Sequence, residues 1–148
     1  YCFSGTAEKD GVRLIAAVMA APDYKSRFSD ALTLLNYGFG MCRLYQDTER
    51  LPLPEMTVKN GKEETVPLSY QETFSWLSMN GEDLSAIQKE LILQEYAEAP
   101  VTAGSQAGWL AYSLNGEEIG RLPVYFARDV EKAGFADYWK GLLTVFLI

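Results

Sequence analysis

The sequence predicts an α+β protein: a β-hairpin and one helix, then a small antiparallel β-sandwich and a C-terminal helix. Three observations carry that prediction. The turn signals Asp10-Gly11, Asn60-Gly61, Asn80-Gly81 and Asn115-Gly116 punctuate short runs with strand-like patterning. Apolar residues fall at helical spacing between Asp23 and Gly40, and again beyond Asp129. Finally, 48% apolar, 22% charged and 13% aromatic residues describe a globular chain rather than a disordered one.

The hairpin is expected over Tyr1–Ala21, with Lys9-Asp10-Gly11 as its turn and Gly11 free to take positive φ. Val12 to Ala20 is a nearly continuous apolar run, as in a central strand covered on both faces. Pro22-Asp23 breaks it, and Asp23 is placed to cap a helix beginning near Tyr24. Phe28, Ala31, Leu32, Leu35 and Phe39 form the stripe that packs on the hairpin, and Gly38 and Gly40 close the helix. About 40 residues bury too little surface to offset their chain entropy. This segment is therefore expected to belong to a larger sheet, and both chain ends read as cut.

Residues 48–55 are polar and Pro-containing, as a linker is. Strands are then expected at Met56–Lys59, Glu64–Leu68, Thr73–Met79, Ala86–Tyr96, Gly108–Leu114 and Glu117–Ala127. Pro123 belongs at a sheet edge or a bulge, because it has no N–H to donate. From Asp129 the stripe Phe135, Trp139, Leu142, Leu143 and Phe146 predicts a helix. It either lies in a membrane interface, begins a spanning helix or packs on its own sandwich.

A net charge of −7 argues against nucleic-acid binding, since phosphates repel such a surface. The absence of His excludes His-dependent triads and His-rich metal sites. Cys2 and Cys42 are too few for a disulfide framework; they either pair or, as we expect, are small buried apolar residues. The adjacent acids Glu63-Glu64 and Glu117-Glu118 read as solvated charges at turns, because neighbours on a strand face opposite ways. Neither a metal nor a cofactor is expected.

Tyr1 to Met19 resembles the strand pair that follows the Lys-Thr-Gly motif in serine-type D-alanyl-D-alanine carboxypeptidases, the low-molecular-weight penicillin-binding proteins of peptidase type S11. Leu34-Leu35-Asn36-Tyr37-Gly38-Phe39 resembles the last helix of their peptidase domain. Val66-Pro67-Leu68 and Asn115 to Val124 resemble the sandwich that follows, and Asp129 to Phe135 its exit into an anchor helix. The resemblance implies four segments: 1–47 as the end of the peptidase domain, 48–55 as linker, 56–128 as sandwich and 129–148 as the start of a membrane anchor. It implies an enzyme on the outer face of the bacterial cytoplasmic membrane. There it would trim the terminal D-alanine from peptidoglycan stem peptides through an acyl-enzyme.

No serine here is followed three places later by Lys, so the nucleophile motif of that family is absent and this stretch alone is expected to be inactive. No residue of the chain is therefore assigned a catalytic role. Ser78-Met79-Asn80, Ser113-Leu114-Asn115 and Lys59-Asn60-Gly61 imitate the family's other motifs, but all three fall at expected turns. The resemblance implies one substrate contact. Arg27, in Tyr24-Lys25-Ser26-Arg27-Phe28, matches an arginine near the pocket for the substrate's terminal carboxylate. The competing reading is a non-catalytic cell-surface spacer or protein-binding module whose partner the sequence does not identify. It requires exposed aromatics at Tyr70, Trp76 or Trp109.

Overall fold

The computed structural model describes residues 1–135 and residue 137. The chain forms two units, Tyr1–Asp47 with Ser75–Ile87, and Thr48–Phe74 with the remainder from Gln88. Strand is the dominant structure, and a single α-helix longer than one turn occurs among the described residues.

In the first unit β1 (Phe3–Lys9) and β2 (Val12–Val18) pair antiparallel. Asp10 and Gly11 take φ of +51° and +77° at the turn, a conformation in which Gly carries no Cβ penalty. Helix α1 (Ser26–Met41) packs on the hairpin through Ala31 and Leu35, against Ala16, Val18, Ala21 and Phe3. The buried stripe is narrower than expected: Phe28 and Leu32 are exposed, although Phe28 still meets the Phe3 ring edge-on. The helix also runs through Gly38 instead of ending there. A Cβ at Gly38 would lie 2.6 Å from Leu14 Cδ1, so the glycine allows helix and strand to approach closely. β2 alternates in burial, with Ile15 exposed, so one face alone is covered among the described residues.

β3 (Arg43–Gln46) pairs antiparallel with β7 (Ser75–Ser78), which draws Ser75–Ile87 into the first unit. The division into units thus runs through the stretch 56–128, grouping Ser75–Ile87 with the first unit. A 3-10 turn at Leu84–Ala86 follows, its start fixed by the Asp83 carboxylate accepting from the Ser85 amide.

The second unit contains β4 (Met56–Lys59), β5 (Thr65–Val66), β6 (Leu68–Tyr70), β8 (Gln88–Leu93), β9 (Ala97–Glu98), β10 (Gln106–Leu114) and β11 (Glu117–Phe126). One sheet has the order β6-β11-β10-β8, antiparallel throughout; the other has the order β5-β4-β9. The β4–β9 pair is parallel, so the sandwich is not wholly antiparallel. Met56, Val58, Val66, Ala97, Ala99, Val101, Ala107, Phe126 and Val130 form its core. Asn115 (φ +53°) and Gly116 (φ +86°) make the tight turn between β10 and β11. Pro123 sits just outside the stretch Val124–Phe126 that β6 covers, so its missing N–H breaks no ladder bond on that side.

Residues 129–134 are not helical as expected. Val130 exchanges backbone hydrogen bonds of 2.9 Å with Val101 and is 2% exposed, and Lys132 bridges Gly61. Burying Val130 in the sandwich outweighs the local helical pattern. Helix is seen at Phe135 and Asp137, and the rest of the segment expected to be an anchor lies outside the described residues. No described helix is long and apolar enough to cross a membrane.

β10 carries a bulge between Gln106 and Gly108. A Cβ at Gly108 would lie 2.3 Å from the Ile92 carbonyl oxygen, a backbone atom that cannot step aside. Gly108→Ala is expected to cost about 1–3 kcal/mol. Leu110→Ala, at a side chain with no exposure, is expected to cost about 2–5 kcal/mol. Urea unfolding of the two variants beside the parent measures both.

Candidate functional site

Arg27 stands in the first turn of α1, and the geometry around it begins at Asp23. The Asp23 carboxylate accepts from the backbone N–H groups of Lys25 (2.7 Å) and Ser26 (2.9 Å), and from the Ser26 hydroxyl. These bonds satisfy donors that a helix start leaves without partners. The helix begins at Ser26 rather than Tyr24 because a turn at residues 24–25 lies between the cap and the first helical residue. The Ser26 hydroxyl first, then the two amides, hold the Asp23 carboxyl below its ordinary range.

The Arg27 guanidinium lies 4.2 Å from the Tyr24 ring centre, 4.7 Å from that of Phe28 and 6.0 Å from that of Tyr1. Its Nη1 donates to the Cys2 carbonyl oxygen at 3.2 Å. Phe28 in turn meets Phe3 edge-on at 4.9 Å and Tyr24 at 5.4 Å. The Arg27 Nε is enclosed and has no hydrogen-bond acceptor among the described residues. Ring faces stand where an acceptor would otherwise be, a favourable place for a delocalised cation. Arg27 is therefore a positioned guanidinium, able to offer its outer N–H groups to an anion and unable to swing freely.

The imitation motifs are structural. Ser78 is wholly buried, and its hydroxyl hydrogen-bonds the Glu82 carboxylate at 2.7 Å. Asn60 and Asn115 hold positive φ at their turns, and Lys59 lies 3.2 Å above the Tyr96 ring. The paired acids are also accounted for. Glu63 forms an ion pair with Arg128, and Glu118 pairs with Arg121 at 2.7 Å, which holds the Glu118 carboxyl low. Among the described residues no three His, Cys, Asp or Glu side chains group closely enough to hold a metal. Cys2 is exposed and Cys42 half-buried, both free, so the expectation of two buried thiols is corrected. Cys2 lies at the chain start, where nothing described covers it.

Of the three aromatics named for a binding surface, Tyr70 and Trp76 are half-buried and Trp109 is 36% exposed. Tyr70 donates its hydroxyl to the Leu51 carbonyl oxygen at 3.1 Å. What sequence reading missed is the company around Arg27. Tyr24 and Phe28 are near neighbours of Arg27 in sequence, whereas Tyr1 and the Cys2 carbonyl, just before β1, are remote from it and leave no local signal.

Residues 39–132 match the family described as penicillin-binding protein 5, C-terminal domain, and the chain belongs to that family. Among curated relatives it is 30% identical over 141 residues to the D-alanyl-D-alanine carboxypeptidase DacF of Bacillus subtilis, covering 95% of this chain and 36% of that protein. It is 27% identical over 139 residues to DacA of Haemophilus influenzae, covering 92% of this chain and 35% of that one. The chain thus spans little more than a third of the relatives it matches. Penicillin binding protein 5 from Haemophilus influenzae has a similar fold, with a TM-score of 0.66 and 24% identity over 89% of this chain and 39% of that one. DacD from Francisella tularensis follows at a TM-score of 0.56 and 19% identity, over 90% of this chain and 33% of that one.

The low Asp23 value has a testable sign. A carboxyl whose folded value is depressed stabilises the fold fully above the unfolded value of about 3.9, and that contribution is lost as pH falls through the folded value. Asp23→Asn should therefore lower the thermal midpoint near pH 7, and its effect should shrink as pH drops below about 4. Melting curves of the two proteins across pH 2–7 test this; a gap that stays constant would show that the charge is not involved.

Proposed function

We propose that this chain is the C-terminal part of a serine-type D-Ala-D-Ala carboxypeptidase. The observation that carries the proposal is the match, over nearly the whole chain, to relatives named D-alanyl-D-alanine carboxypeptidases. In this reading a serine outside these 148 residues attacks the peptide carbonyl between the two terminal D-alanines. The last D-alanine leaves, and water then cleaves the acyl-enzyme ester to return the serine and release the shortened stem peptide. The 148 residues alone are inert, since they contain no Ser-x-x-Lys. Arg27 contributes from the edge of the peptidase domain. Its fixed guanidinium favours the substrate's terminal carboxylate, with the rings and the Cys2 carbonyl holding it in place.

The same reading places the enzyme on the outer face of the bacterial cytoplasmic membrane, with the segment beyond Asp129 leading to its anchor. The uncharged stretch Leu142–Ile148 supports it.

The test is to express the complete gene product and expose it to fluorescent penicillin. Covalent labelling is expected, and it should disappear when the serine of its Ser-x-x-Lys is changed to alanine. Arg27→Ala should then weaken D-Ala-D-Ala hydrolysis by about tenfold or more while labelling of the serine persists. A complete product with no such motif and no labelling would leave the non-catalytic surface module as the better reading.

A further inference from the structure

The outer face of the four-stranded sheet carries a group of side chains that the carboxypeptidase reading does not use. Gln106 and Trp109 are three residues apart on β10, so plain alternation would send them to opposite faces. The bulge removes that conflict: Ala107 turns into the core, and Gln106 and Trp109 are both exposed. Ile92 of β8 lies opposite Trp109 and is 41% exposed, and Pro123 of β11 flanks the indole on its other side. Ile92, Gln94, Gln106 and Trp109, together with Leu93 and the bulge at Ala107-Gly108, line a groove of about 380 Å³, at the small end of small-molecule sites. The Gln106 amide nitrogen donates to the Gly108 carbonyl oxygen at 3.2 Å, which fixes that side chain over the groove.

We propose that this groove binds a neutral saccharide. The chemistry of the lining selects the ligand class. An indole offers a broad, rigid apolar face that loses little entropy on contact, suited to the C–H face of a pyranose ring. The side-chain amides of Gln94 and Gln106 both donate and accept hydrogen bonds, as sugar hydroxyls do. Among the described residues no charged side chain lines the groove, although the protein carries a net charge of −7. An ionic ligand would find no counter-charge there. The inference goes beyond the catalytic reading and does not rest on it, since the chain alone suffices to test it.

The experiment is a titration of the isotopically labelled 148-residue chain with an N-acetylglucosamine tetrasaccharide and with cellotetraose, followed by amide and indole N–H resonances. At least one sugar should give saturable shifts centred on Ile92–Gln94 and Gln106–Trp109. Trp109→Ala should weaken that binding about tenfold or more. Gln94→Leu, which keeps the indole, should weaken it severalfold. Preserved spectral dispersion identifies the variants that fold, and the parent titration stands without them. The proposal would be overturned by no saturable shift with either sugar up to about 20 mM, by shifts centred elsewhere, or by undiminished binding in both folded variants. Shifts at these same residues that follow protein concentration instead of sugar would also overturn it, making the patch a contact between copies of the chain.

Discussion

The second unit depends on β10 being hydrogen-bonded along both edges, to β8 on one side and β11 on the other. Leu110 and Tyr112 on its inner side have no exposure, and neither does Val124 on β11. A one-residue slip of register would carry the first two to the outer face, so burial and register enforce each other. Tyr112 also stacks on Phe74, with ring centres 3.8 Å apart and planes 8° from parallel. Gly120 beside it makes room, since a Cβ there would come 2.7 Å from the Phe74 ring. The irregular stretch before β7 is thereby tied to the sheet by a ring, where no strand pairing holds it.

Features fixed by a few neighbouring residues were legible in the sequence. Asp10-Gly11 and Asn115-Gly116 need positive φ, and only a few residue types supply it cheaply, so both tight turns and their hairpins could be read directly. Asp23 at the helix entrance was readable because a short carboxylate can accept from the next backbone N–H groups, although the cap position itself falls on Lys25. Pairings between distant segments were not. Nothing around Ser75–Ser78 says that its partner is β3, and nothing in Ala97–Glu98 says that it lies parallel to β4. Residues 129–134 have a helical pattern, yet Val130 gains more from the sandwich core than from a helix. Gly38 looked like a helix terminator because the Leu14 side chain that makes a small residue useful there is remote in sequence.

The functional residues divide along the same line. Arg27 stood out by its place in a recognisable stretch, and Tyr24 and Phe28 lie beside it in sequence, but the share of the site from Tyr1 and Cys2 was not readable. Trp109 was noticed as an aromatic, whereas its company with Gln106 depends on a bulge that alternation alone argues against. The small pair Ala107-Gly108 is the one local hint, because small residues are common where backbones approach closely.

The route of the chain between the two units has a practical consequence. It passes from one to the other three times, at residues 47–48, 74–75 and 87–88. No single cut separates them. Excision at residue 48 would leave β7 without β3, exposing a bare strand edge of the kind that recruits other chains. The stretch matched by the family begins at residue 39 and so keeps both strands together. That match runs across what compactness alone would draw as a border, and anyone trimming this protein for expression should cut upstream of β3.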